Sequence, residues 1–246
     1  MLWSALIGTV EQGLVYGVMA LGVYITFRIL DFPDLTVDGS FPLGAAVVAR
    51  TISSGGSPLT GTLLAMVAGL LGGLTTGFLN TKLKISGLLA GILTMTALYS
   101  VNLRVMGRAN IPLLRKPTLI NWFIDRGFAP WVFFLIVLLL TKVLLDLFLK
   151  TEIGFALRAT GDNEQMIRTC GVDTDSMKLL GLGLSNALVA LSGALVAQYQ
   201  GFADVGMGIG TVVSGLASVI IGQALVRFRG LGWATMGVIV GSVVYR

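Results

Sequence analysis

The sequence predicts an all-α protein, a polytopic transmembrane helical bundle of about eight spans with an interrupted early helix. Three observations carry that prediction. Of 246 residues, 55% are apolar and 12% are charged, against about 25% charged in an average soluble domain. Mean hydropathy is +0.88. Apolar stretches near the ~20 residues that cross ~30 Å of hydrocarbon recur along the whole chain. Such a composition excludes a water-soluble enzyme or a DNA-binding module as the main reading. A collagen-like chain is excluded too, because the 33 glycines follow no G-X-Y period. Residues 1–246 read as one membrane domain.

The first span is expected at 5–27; it lacks a basic leader and an A-x-A cleavage site, so it reads as a retained helix. The second is 35–52, entered through the short connection 28–34, and is either a full span or re-entrant. The third and fourth are 58–81 and 86–107. The connection 108–129 carries Pro112, Pro117 and Trp122 and predicts interfacial or re-entrant structure. Spans follow at 130–149, 177–199, 211–226 and 231–245, and the one extended polar stretch is 150–176. The last apolar segment ends without a polar tail, which leads to the expectation that the natural chain continues.

Small residues recur at helical spacing: Gly69, Gly73 and Gly77; Gly87 and Gly91; Ser214, Ser218 and Gly222; Gly237 and Gly241. They predict close helix packing within the subunit, because small side chains let backbones approach in lipid.

The net charge of +5 needs no nucleic-acid partner. Basic residues flank spans on the cytoplasmic side. Lys82, Lys84, Lys150, Arg158, Arg168, Lys178, Arg227 and Arg229 fall on one side. The smaller set Arg50, Arg104, Arg108, Arg115, Lys116 and Arg126 falls on the other. The imbalance favours a cytoplasmic 150–176 loop. There is no histidine and a single cysteine, Cys170, so disulfides and histidine-based catalysis or metal binding are excluded.

Within the polar stretch, Asp162 fits a helix N-cap and Gln165 the third helical position of a capping box. Gly171 fits the left-handed residue that ends such a helix. Residues 163–170 then form two turns with Met166, Ile167 and Cys170 on one side. An ordinary interfacial helix has the same pattern.

The layout T-x-x-G-x-A-x-R-A-x-G-x-N-x-x-x-x-x-x-x-G over 151–171 resembles the cytoplasmic coupling loop of ABC importer permeases, in particular the branched-chain amino acid/ribose permease superfamily. The runs L-S-G-A-L at 191–195 and G-L-A-S-V-I-I-G at 215–222 resemble that family too. The early run L-D-F-P-D-L-T-V-D-G-S-F-P-L-G at 30–44 is similar to a subgroup that includes aromatic amino acid importers. Three motifs in the family's order cover nearly the whole chain. The resemblance implies a multi-pass protein of the bacterial cytoplasmic membrane. It implies two permease copies, two cytoplasmic ATPases and an extracytoplasmic binding protein that delivers a small solute. It also implies that Gly161, Asp162, Asn163, Glu164, Met166, Ile167, Arg168 and Gly171 dock the ATPase. The chain has no G-x-x-x-x-G-K-[ST] phosphate cradle. ATP and Mg therefore belong to the partner, and this subunit carries no cofactor and is not itself an enzyme.

Asp31, Asp34 and Asp38 lie in one short stretch with Pro33 and Pro42. Four residues apart, Asp34 and Asp38 are expected to share a helix face, with Pro33 in the first helical turn. Charge is expensive inside the bilayer. The stretch is thus either a solvated connection or a pathway or gate element. Asn186 and Gln198 are candidates for lining a pathway, and helix-to-helix hydrogen bonds account for them equally well. Lys142 and Asp146 are spaced to pair. An ion-coupled secondary transporter using Asp31, Asp34 and Asp38 is the alternative reading.

Overall fold

A computed structural model describes residues 2–114, 116–226 and 230–246. Arg115, Arg227 and Arg229 of the charge argument lie outside them. Helix α1 (Leu2–Tyr24) runs on through a widened π-helical turn (Ile25–Ile29). Helices α2 (Val37–Ser53), α3 (Pro58–Thr81) and α4 (Gly87–Met106) follow. Strand β1 (Asn110–Pro112) and the short α5 (Leu119–Ile124) lead to α6 (Pro130–Leu149). Next come α7 (Glu152–Asp162), α8 (Glu164–Thr169) and α9 (Thr174–Gln200). Strand β2 (Phe202–Asp204), a 3-10 turn (Val205–Gly208), α10 (Thr211–Leu225) and α11 (Leu231–Tyr245) complete the order.

Helix boundaries follow local chemistry. Ser57 caps α3 by accepting from the Thr60 N–H at 3.2 Å, with Pro58 at the first position, where its missing N–H is harmless. Gly107 ends α4 in the left-handed conformation. Pro130 opens α6 in the same way as Pro58 opens α3.

Among the described residues six helical segments are long and apolar enough to span. The expected membrane bundle is thus present, and its finer number of about eight spans is not confirmed. Helix α2, with 17 residues, and α11, with 15, are too short to be counted. The reason for α2 is that residues 31–36 are not helical, so the helix starts at Val37 and not at Leu35. Pro33 accordingly sits before the helix and not in its first turn. Inside α2, Pro42 leaves the Asp38 carbonyl without its usual donor. Gly208 packs into that notch, where a Cβ would collide with the Asp38 oxygen and the Pro42 ring.

Helix α9 is the central post. It packs against α1, α2 and α3, and residues 185–198 are buried on every side. The stripe Gly69, Gly73, Gly77 faces it, and a Cβ at Gly73 would strike the Leu182 carbonyl. The small-residue faces on α10 and α11 meet each other likewise, through Gly222, Gly237 and Gly241. By contrast, Leu63, Leu71, Leu93, Leu140 and Leu144 on α3, α4 and α6 point outward, as lipid-facing residues do.

The all-α expectation misses a small element. Strands β1 and β2 pair antiparallel, with Ile111 opposite Ala203. The 108–129 connection thereby crosses the far end of α9, and Leu113 N–H donates to the Gly201 carbonyl at 2.7 Å. One described member of each basic set can be placed against the bundle. Lys84 reaches Asp175 at 3.7 Å beside the start of α9, while Lys116 donates to the Ser53 carbonyl at 3.3 Å.

Candidate functional site

The polar loop folds back on the start of α9. Thr151 caps α7 by accepting from the Gly154 N–H at 3.2 Å. Gly161 presses against the Ile29 carbonyl with no room for a side chain, so α7 is seated on the end of α1. The cap of α8 is Asn163 and not Asp162. Asn163 is extended (φ −158°, ψ 95°), and its Oδ1 accepts from the Met166 N–H at 3.0 Å. Asp162 instead completes the last turn of α7, and Gln165 moves one place nearer the cap than a capping box requires. Gly171 (φ 86°) makes the expected left-handed turn.

Glu164 ties α8 to α9. Its Oε1 accepts from Arg168 Nη2 at 2.8 Å and from the Thr174 hydroxyl at 3.2 Å. Its Oε2 accepts from Lys178 Nζ at 2.7 Å. Arg168 also donates to Thr174 at 2.7 Å and to Asp175 at 3.2 Å. The Lys178 hydrogen bond holds the Glu164 carboxyl below its ordinary pKa, against a smaller opposing effect of burial. Asp173 caps α9, and the hydroxyl it accepts from Ser176 holds its carboxyl low too. Ile167 is turned inward and buried, whereas Met166 and Cys170 are exposed. Of the eight expected docking residues, Glu164, Arg168 and Ile167 thus hold the loop together from within. Sequence reasoning missed Thr174 and Lys178, whose spacing from Glu164 carried no local pattern.

A second polar cluster lies midway along α9. Asp34 is fully buried. Its Oδ1 accepts from the Thr36 N–H at 2.9 Å and its Oδ2 from Asn186 Nδ2 at 2.8 Å. The Thr36 and Thr76 hydroxyls join the cap of α2 to α3 at 2.6 Å. Asn186 Oδ1 is buried without a hydrogen-bond partner among the described residues, as are Ser40 Oγ and Asn102 Oδ1. Such atoms are rare in native interiors.

The three early aspartates do not converge. Asp31 is exposed and reverses the chain at φ 50°. Asp34 precedes α2 while Asp38 lies within it, so the two share no helix face. Asp38 caps α10, accepting from the Thr211 hydroxyl and the Val212 N–H at 2.8 Å and from the Gly210 N–H at 3.3 Å. Gln198 is a tie between elements: Nε2 donates to Thr62 at 2.9 Å and Oε1 accepts from the Leu119 N–H at 3.1 Å. Lys142 and Asp146 pair at 2.6 Å, and Thr235 donates to the same Asp146 at 2.8 Å.

The sequence matches the family model described as branched-chain amino acid transport system, permease component, over residues 5–246. A tyrosine transport system permease protein of Clostridioides difficile is 50% identical over 99% of this chain and 81% of its own length. An uncharacterized protein of Rickettsia prowazekii is 41% identical over 83% of this chain and 71% of its own. The autoinducer 2 import system permease LsrC of Yersinia pestis is 28% identical over 69% of this chain and 48% of its own. No solved structure matches.

Proposed function

The chain belongs to the branched-chain amino acid transport system permease family, the membrane-embedded permease subunits of ABC importers, and from that premise we propose an aromatic amino acid, tyrosine foremost, as its cargo. The support is the Clostridioides difficile tyrosine permease, identical at half of the aligned positions. In this reading a binding protein delivers the cargo on the outer face, two permease copies form the pathway, and two ATPases on the inner face drive it.

The observation that carries the mechanism is the linkage through α9. At its start, α9 is clamped to α8 by Glu164, Arg168 and Lys178. Midway along, its Asn186 holds the buried Asp34. Closure of an ATPase dimer displaces α8, the clamp passes the displacement to α9, and the Asp34–Asn186 contact shifts with it. The bundle thus moves between two packed states that nucleotide binding biases. Asp34 and Asn186 form the gate; Asp38 and Gln198 hold its walls. Exposed Met166 faces the ATPase, with Asp162, Asn163 and Gly171 shaping the seat beside it.

Co-expression with a cognate ABC ATPase and binding protein tests this. Tyrosine uptake into proteoliposomes is expected to require ATP and both partners. Uptake by this chain alone, driven by an ion gradient, sinks the reading.

A further inference from the structure

We propose that the pocket between the end of α1, α7 and the start of α11 binds a phosphate anion of the kind a phospholipid headgroup carries. The pocket encloses about 460 Å³, and Tyr24, Arg28, Phe155, Arg158, Asp162 and Leu231 contribute to its walls. Two further pockets among the described residues are walled almost wholly by apolar side chains, so this one differs from them in kind.

Its two guanidinium groups are not consumed by the fold. Arg28 is exposed and makes no hydrogen bond or ion pair with the described residues. Arg158 lies four residues before Asp162, the spacing of a helical ion pair, yet the two do not pair. Its guanidinium stacks on the Phe155 ring at 4.3 Å, and its Nε is buried with no hydrogen-bond partner among the described residues. A planar guanidinium fixed by an aromatic face, with unspent donors, suits the paired oxygens of a phosphate. The single carboxylate of Asp162 opposes an anion, but two arginines outnumber it. Leu231 and Ala234 add an apolar wall suited to the glycerol and upper acyl region of a lipid. Helix ends are where headgroups lie, and basic pockets between transmembrane helices take anionic headgroups. A bound phosphate would pin α1, α7 and α11 together.

The full chain is purified in detergent and reconstituted in nanodiscs of phosphatidylcholine alone or mixed with phosphatidylglycerol. Retained lipid is counted by native mass spectrometry. The wild type is expected to retain phosphatidylglycerol preferentially. Arg28→Gln and Arg158→Gln should each lower that retention about fivefold, the equivalent of about 1 kcal/mol per basic group near an anionic surface. Asp162→Asn should raise it, and Arg108→Gln, on the opposite face, should leave it unchanged. Arg28→Gln alters an exposed side chain, so its reading stands even where Arg158→Gln folds poorly. Titration with inorganic phosphate separates the sources. Stabilisation of the wild type but not of Arg28→Gln by phosphate, without phosphatidylglycerol preference, assigns the site to a free anion. Equal phosphatidylglycerol retention by the wild type and the Arg28→Gln/Arg158→Gln double variant, with no response to phosphate in either, overturns the proposal.

Discussion

Asp34 and Glu164 each place one carboxylate against α9, yet they do so in opposite surroundings. Asp34 is fully enclosed and is held by a neutral amide and a backbone N–H. The Glu164 side chain is 35% exposed and is held by two cations. Their α9 partners, Asn186 and Lys178, are eight residues apart, or about 12 Å along a helix. The contrast separates two ways of making a polar contact durable. Enclosure removes every alternative partner, so the Asp34 contact either holds or is exchanged as a unit. Charge in a wet setting leaves water and other ions as competitors, so the Glu164 clamp can yield in small steps. In the proposed mechanism the gate draws on the first property and the drive connection on the second.

Breaking the buried contact should therefore have the larger effect. Asp34→Ala strips the acceptor from the Thr36 N–H and from Asn186, both inside the bundle. We expect a loss of about 3 kcal/mol, the scale for orphaning groups that bonded a buried carboxylate, seen as a lowered unfolding temperature in detergent. An unchanged unfolding temperature would show that Asp34 is not held as tightly as its enclosure implies.

Met166→Pro strikes the loop instead. It removes the N–H that Asn163 accepts at 3.0 Å, at a cost of about 1 kcal/mol in a helix cap. The bundle should stay folded. Coupled tyrosine uptake should fall roughly tenfold, within the usual range of coupling energies between sites, while the partner continues to hydrolyse ATP. Full coupled uptake in this variant would remove α8 from the drive train.

Most long helices were legible because hydropathy and capping agree. Pro58–Thr81, Pro130–Leu149 and Leu231–Tyr245 begin and end where the sequence predicts. Legibility fails where a short-range pattern fits two neighbouring residues. Asp162 and Asn163 are both good caps, and the choice is made by Gly161, which must stay helical to press on Ile29. It fails also where one residue type serves three purposes. Asp31, Asp34 and Asp38 look alike as a cluster, but a turn, a buried contact and the cap of a helix more than 170 residues away divide them. Spacing along the chain carries no sign of Thr211 or Asn186 as their partners.

A smaller effect comes from pH. The Lys178 hydrogen bond favours ionised Glu164, so its folded pKa lies below the ordinary carboxylate value. The contribution is complete above that ordinary value and is lost as pH falls through the lower, folded one. Protection of the α8 amides, taken relative to the intrinsic exchange rate at each pH, should stay constant from neutrality down to about pH 5 and fall only below about pH 4. Glu164→Gln should flatten that dependence and cost no more than about 1 kcal/mol, because the pair is partly solvated.

The smallest perturbation leaves every contact in place and reads the loop directly. Cys170 is exposed at the end of α8, four residues from Met166 and so on the same face of the short helix. Its thiol should react readily with a maleimide in the isolated subunit. An ATPase seated over Met166 covers that face as well, so adding the partner should slow the reaction severalfold. Since Cys170 takes no part in the Glu164 clamp, slowing reports coverage and not stiffening of the loop. Labelling at the same rate with the partner bound would place the contact elsewhere and leave α8 as a brace between α7 and α9.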